Sequence, residues 1–95
     1  MSLYMVIEIK VNNPSMYKKY INEVSDIIEK YGGKYVVRSE DITTLSGDWS
    51  PERIIIIKFK DEKQIKKCFS SEEYQEIAPL RENSTESKAI IVKEI

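Results

Sequence analysis

The stretch Arg53-Ile54-Ile55-Ile56-Ile57-Lys58-Phe59-Lys60 decides the fold. Four consecutive isoleucines on a β-strand point alternately to opposite faces of a sheet, so this strand expects apolar cover on both of its sides. Upstream, Tyr4 to Val11 alternates, with Met5, Ile7, Ile9 and Val11 on one face and Glu8 and Lys10 on the other, which reads as another strand. Between the two lie Asn12, Asn13 and Pro14, a turn, an N-cap and a proline at the first helical position. Tyr17, Tyr20, Ile21, Val24, Ile27, Ile28 and Tyr31 follow at spacings of three and four, predicting a helix of about five turns. Gly32 and Gly33 end it, and Lys34 to Ser39 reads as an edge strand that Ile42 to Leu45 continues after a bulge.

Downstream of the isoleucines, Asp61 with Gln64 three residues on marks a helix start, and Ser71 restarts a second helical piece carrying Tyr74, Ile77 and Ala78. Pro79 is expected to kink or end that piece, Asn83 to Lys88 to be polar connection, and Ala89 to Val92 with Ile95 to form the last strand. The order β-α-β-β-α-β predicts a ferredoxin-like α+β fold, a four-stranded antiparallel sheet with strands one and three central and both helical regions on one face. All 95 residues are expected to form this single domain. Its other face would expose apolar side chains that the chain has no element left to cover. A second copy is the simplest cover, predicting a homodimer through the sheet faces.

Charge excludes several partners. With 15 basic against 16 acidic residues the net charge is −1, and no basic run interleaves with aromatics, so neither nucleic acid nor an anionic membrane surface is an expected partner. Histidine is absent, which removes imidazole bases, Ser-His and Cys-His nucleophile pairs and histidine-held metal or haem. No metal and no cofactor is expected. A single cysteine, Cys68, and an N-terminus without a positive region followed by a long apolar run point to the cytoplasm. Cys68 itself reads as inert.

Twelve lysines against three arginines make Arg38, Arg53 and Arg81 candidates for positions that need a planar, bidentate cation. Surface ion pairs with Glu40, Asp48 or Glu52 are the plainer alternative. Trp49, the only tryptophan, lies in the loop from Ser46 to Pro51 and is either a plug over a sheet edge or the wall of a pocket. If strands two and three form a hairpin, Arg38 and Arg53 approach Trp49 and form a corner suited to a carboxylate or phosphate. Tyr74 and Arg81, seven residues apart, share a helix face if Pro79 does not rotate it. Tyr17, Tyr20 and Tyr31 read as helix packing, with Tyr20 best placed to reach a pocket between helix and sheet.

The ordered set of Tyr20, Gly32, Gly33, Arg38, Gly47, Trp49, Pro51, Arg53, Tyr74 and Arg81 resembles the family known as domain of unknown function 1330, over nearly the whole chain. That family is similar to dimeric α+β barrel proteins, which include small monooxygenases, lactone isomerases and stress-response proteins. The resemblance implies the same dimeric ferredoxin-like architecture and a recurring polar set at Arg38, Trp49, Arg53, Tyr74 and Arg81. It supplies no activity, and the absence of histidine sets the chain apart from barrels that use histidine in catalysis or haem handling. Three functions remain: a module binding a small anionic, carboxylate-bearing organic ligand at Arg38, Arg53 or Arg81 against Trp49; a cofactor-free isomerase or oxygenase with Tyr20 or Tyr74 as acid or base; or a structural dimer without a small-molecule role.

Overall fold

In a computed structural model describing Met1–Ile95, the elements run β1 (Leu3–Val11), α1 (Pro14–Lys30), β2 (Lys34–Ser39), β3 (Arg53–Phe59), α2 (Glu62–Phe69), α3 (Glu72–Glu82) and β4 (Thr85–Lys93). The helix starts are set by side-chain caps, each typically worth about 1 kcal/mol. Asn13 accepts from the Met16 amide with Pro14 next in the chain. Asp61 accepts from Gln64, and Ser71 from Tyr74. Gly32 takes the left-handed φ of +87° that closes α1. Gly33 serves a different need: a Cβ there would stand 2.5 Å from Ile28 and 2.8 Å from Phe59, so only glycine lets α1 end this close to the sheet.

The sheet is antiparallel with order β2-β3-β1-β4, so the isoleucine strand and β1 are central as expected. The register Met5↔Ile57, Ile7↔Ile55 and Leu3↔Phe59 puts the apolar set of both strands on the side the helices cover. There they meet Tyr17, Tyr20, Val24 and Ile28 of α1 and Tyr74, Ile77 and Ala78 of α3. This is the ferredoxin-like α+β arrangement, built from three helices on a four-stranded sheet.

Four local expectations are corrected. Ile42 to Leu45 form no strand, because β3 begins only at Arg53, and Pro51 before it lacks a donor. The bulge falls earlier, inside β2, where the register steps from Tyr35↔Ile57 to Val37↔Ile56 and leaves Val36 unpaired. Pro79 does not end α3, which runs on to Glu82. It forfeits one bond to the Gln75 carbonyl, yet the next turn closes when the Asn83 amide donates to the Pro79 carbonyl at 2.9 Å. Finally, β4 begins at Thr85, not at Ala89, and stops before Ile95. The Ser84 carbonyl accepts from both Asn12 and Asn13 and aligns Thr85 with Val11. Glu86 to Lys88 are strand residues on an exposed edge, where polar side chains carry no apolar alternation.

The Cα envelope measures 37 × 36 × 16 Å, one helix layer on one sheet layer, and no third layer covers the opposite face. Across that open face the register lines up Val37, Ile56, Val6 and Ile90, one from each strand. Ile90 and Val92 remain 61% and 45% exposed. Tyr4 closes one end of this apolar row, donating to Glu94, whose carboxylate also meets Lys58 and the Ser2 amide. No helix is long and apolar enough to cross a membrane.

Candidate functional site

Met5 and Ile7 sit mid-strand on the helix-covered side of the central β1, where close packing would normally bury them, yet both stay partly exposed. The reason is a cavity of about 350 Å³ between α1, α3 and the sheet. Its floor follows the register. One row holds Arg53, Ile9 and Ser87; the next holds Arg38, Ile55, Ile7 and Ala89; beyond it lie Ile57 and Met5. The lining is mostly apolar, with its polar groups concentrated at the Arg53 and Ser87 end. Arg53 and Ser87 flank Ile9 on two different strands, which separates their backbones by about 10 Å.

Above that end stand three tyrosines. Tyr17 and Tyr20, three residues apart on α1, stack with ring centroids 5.9 Å apart, and Tyr74 of α3 meets Tyr20 edge-on at 6.3 Å. The Tyr20 and Tyr74 hydroxyls are 3.0 Å apart and buried. Each nearby guanidinium is held by a tyrosine. Arg81 donates from Nε to the Tyr74 hydroxyl at 3.2 Å and from Nη1 to Ser87 Oγ at 2.7 Å. Arg53 donates from Nε to the Tyr17 hydroxyl at 3.2 Å and from Nη1 to Glu40 at 3.3 Å. The continuation of α3 through Pro79 is what keeps Arg81 on the face of Tyr74.

Two properties follow from this network. Whichever of Tyr20 and Tyr74 donates to the other, one phenolic proton is left over, and no other protein group accepts it. Burial first, and the neighbouring Tyr74 second, hold the Tyr20 hydroxyl well above the usual tyrosine range, the pull of Arg81 being outweighed. Tyr20 therefore stays protonated: it can donate a hydrogen bond or a proton but is not a base at neutral pH. Cys68 is fully buried, and desolvation pushes its thiol up to about 11, so it is not a thiolate.

Arg38, Arg53, Tyr20, Tyr74 and Arg81 all line this cavity. Arg38 stands toward its β2 side, donating to Ser25 with its guanidinium 4.7 Å from the Tyr35 ring. Trp49 does not line it, and the expected corner of indole and guanidiniums does not form. Its indole N–H donates to Glu8 at 3.3 Å, and Glu8 projects from the open face, away from both arginines. The residues missed at the sequence level are Tyr17 and Ser87. Tyr17 reads as packing, although its spacing of three from Tyr20 puts the two hydroxyls on one side; Ser87 falls in what reads as a connection.

Comparison with known proteins agrees with the fold. RPA0582, a protein of unknown function from Rhodopseudomonas palustris, superposes with a TM-score of 0.86 at 17% identity over 99% of this chain and 82% of its own. SnoaB, a cofactor-independent oxygenase from Streptomyces nogalater, gives 0.73 at 10% identity over 99% and 93%. A NIPSNAP domain protein from Burkholderia xenovorans gives 0.65 at 17% identity over 100% and 95%. At these identities the likeness speaks for architecture alone, and no curated protein matches the chain in sequence. The family model described as domain of unknown function (DUF1330) matches residues 2–95, and the chain belongs to that family.

Proposed function

We propose that the protein binds a small organic anion, carboxylate-bearing, in the cavity between the helices and the sheet. The observation that carries this reading is the half-buried arrangement of Arg81, Tyr74 and Tyr20, which offers a guanidinium edge and one unclaimed phenolic proton to an acceptor inside apolar walls. Arg53 and Arg38 add positive potential from the β3 and β2 sides. In a thermal-shift screen of carboxylates, compounds that raise the melting temperature should lose that effect in Arg81→Lys, which keeps charge but loses the planar fork. Shifts that persist in both Arg81→Lys and Arg53→Lys would remove the arginines from the reading.

A second reading is a cofactor-free isomerase or oxygenase, favoured by the same protonated Tyr20 and by the likeness to SnoaB. Here the tyrosine pair acts as acid toward a developing enolate that Arg81 stabilises. Turnover of activated enols or lactones in air, lost in Tyr20→Phe, separates catalyst from binder.

The same proposal covers assembly and location. A two-fold partner laid on the open face buries the row Val37, Ile56, Val6 and Ile90 of each copy. Charges of both signs border that row in Glu8, Lys88 and Lys58, as a self-complementary contact requires. Light scattering that returns a single-chain mass at micromolar concentration counts against the homodimer. A cytoplasmic location is supported by the single, buried cysteine.

A further inference from the structure

At the polar end of the cavity one guanidinium makes no ion pair, although Glu82 also lines the space. Arg53 is already paired with Glu40. The other ion pairs, Lys30 with Glu73 and Lys58 with Glu94, lie elsewhere. Arg81 is turned inward, and its nitrogens meet only neutral oxygens, the Tyr74 hydroxyl and Ser87 Oγ. A partly desolvated guanidinium without a counter-ion is costly. Arg38 has no acidic partner either, but it is exposed and water serves it.

Away from that end the lining is mainly hydrocarbon and aromatic, Met5, Val24, Ile28, Ile57 and Phe69, with Tyr35 and the exposed Gln75 beside them. The floor from Ile9 to Met5 spans four residue steps along the strand, about 13 Å. The side over β4 is open. Ser87 and Ala89 line the cavity and yet are exposed, because no helix lies across that strand. From this we infer that the ligand is an amphiphilic monocarboxylic acid, its carboxylate seated on Arg81 beside Ser87 and Tyr74, and its apolar chain or ring laid over Ile7 toward Ile57 and Phe69. A monoanion matches the one half-buried guanidinium without an ion pair, since Arg38, also unpaired, is exposed on the β2 side. A short dicarboxylate fits less well because it leaves the apolar floor uncovered.

This inference rests on the cavity reading above, and the test separates the two. Octanoate, 1-octanol, succinate and octyl phosphate at pH 8, where the phosphate is a dianion, are titrated into the full chain by calorimetry and thermal shift. Octanoate should bind at least tenfold tighter than the other three. In Ser87→Asp, which places a carboxylate on Arg81 from an exposed strand position, octanoate affinity should fall at least tenfold while that of 1-octanol is unchanged. Ala89→Phe, which fills the floor at an exposed strand position, should abolish both. Succinate or octyl phosphate binding as tightly as octanoate, or undiminished octanoate binding in Ser87→Asp, overturns the monocarboxylate assignment and leaves the anion site standing. No binding by any probe overturns both.

Discussion

The two faces of the sheet use the same strands to opposite ends. Under the helices, polar groups are gathered at one end of an apolar chamber and bonded to one another, Arg81 to Tyr74 to Tyr20 and Arg53 to Tyr17. On the open face they stand at the border, Glu8 with Trp49 on one side and Tyr4, Lys58 and Glu94 on the other, around an aliphatic centre. Concentrated, mutually oriented polarity inside an apolar space is the layout of a small-molecule pocket; peripheral polarity around a flat apolar patch is the layout of a protein interface. Neighbours on one strand can thus serve different tasks, and Ile56 and Ile57 test that directly.

Lysine at Ile57, which is 3% exposed, should give the largest effect. It places a charge beneath the helices, and loss of the cooperative transition by circular dichroism is expected. Ile56→Lys, one residue away, should keep its helical signal and instead convert a two-chain particle into a single chain by light scattering. If both variants unfold, or neither changes association, the contrast between the faces fails. Next in size is Tyr74→Phe, which strips Arg81 and Tyr20 of their shared partner and should cost about 1–3 kcal/mol in urea unfolding. A matching change at Tyr4 on the open side should cost less.

Alkaline pH sharpens the same distinction. Folding keeps Tyr20 protonated where an unfolded tyrosine ionises, near pH 10, so stability is level below that value and declines as pH rises past it. Tyr20→Phe should flatten that decline. The smallest effect belongs to Glu73, an exposed carboxylate that joins α3 to Lys30 and Tyr31 of α1, contacts that hold it below its usual range. What it contributes is present above the ordinary carboxylate range and lost as pH falls through its lowered value, so Glu73→Gln should lower the melting point slightly at pH 7 and by less as the solution is acidified.

Much of this architecture was legible beforehand because it rests on local rules: alternation in β1, four isoleucines in β3, and caps at Asn13, Asp61 and Ser71. Where the reading went astray, the deciding partner was remote. Nothing in Glu86 to Lys88 reveals that the Ser84 carbonyl will tie this segment beside Val11. The scarcity of arginine picked out Arg38, Arg53 and Arg81, which all reach one chamber. Trp49 was misplaced because a loop residue has no parity, and which side of a sheet it turns to is fixed only by its contact with Glu8.

Parity also explains the unpaired Val36. Tyr35 and Arg38 are separated by an odd step, and on an uninterrupted strand they would project to opposite sides. The extra residue resets the count, so that Tyr35 opposite Ile57 and Arg38 opposite Ile55 both look into the same chamber while Val37 joins the aliphatic row. The spacing of this segment is therefore a message that substitution cannot rewrite. Straightening the strand with Val36 kept in register would exchange the addresses of Val37 and Arg38 without altering either side chain, sending a cation to the open face and an aliphatic group to the chamber, whereas deleting Val36 would leave both where they are.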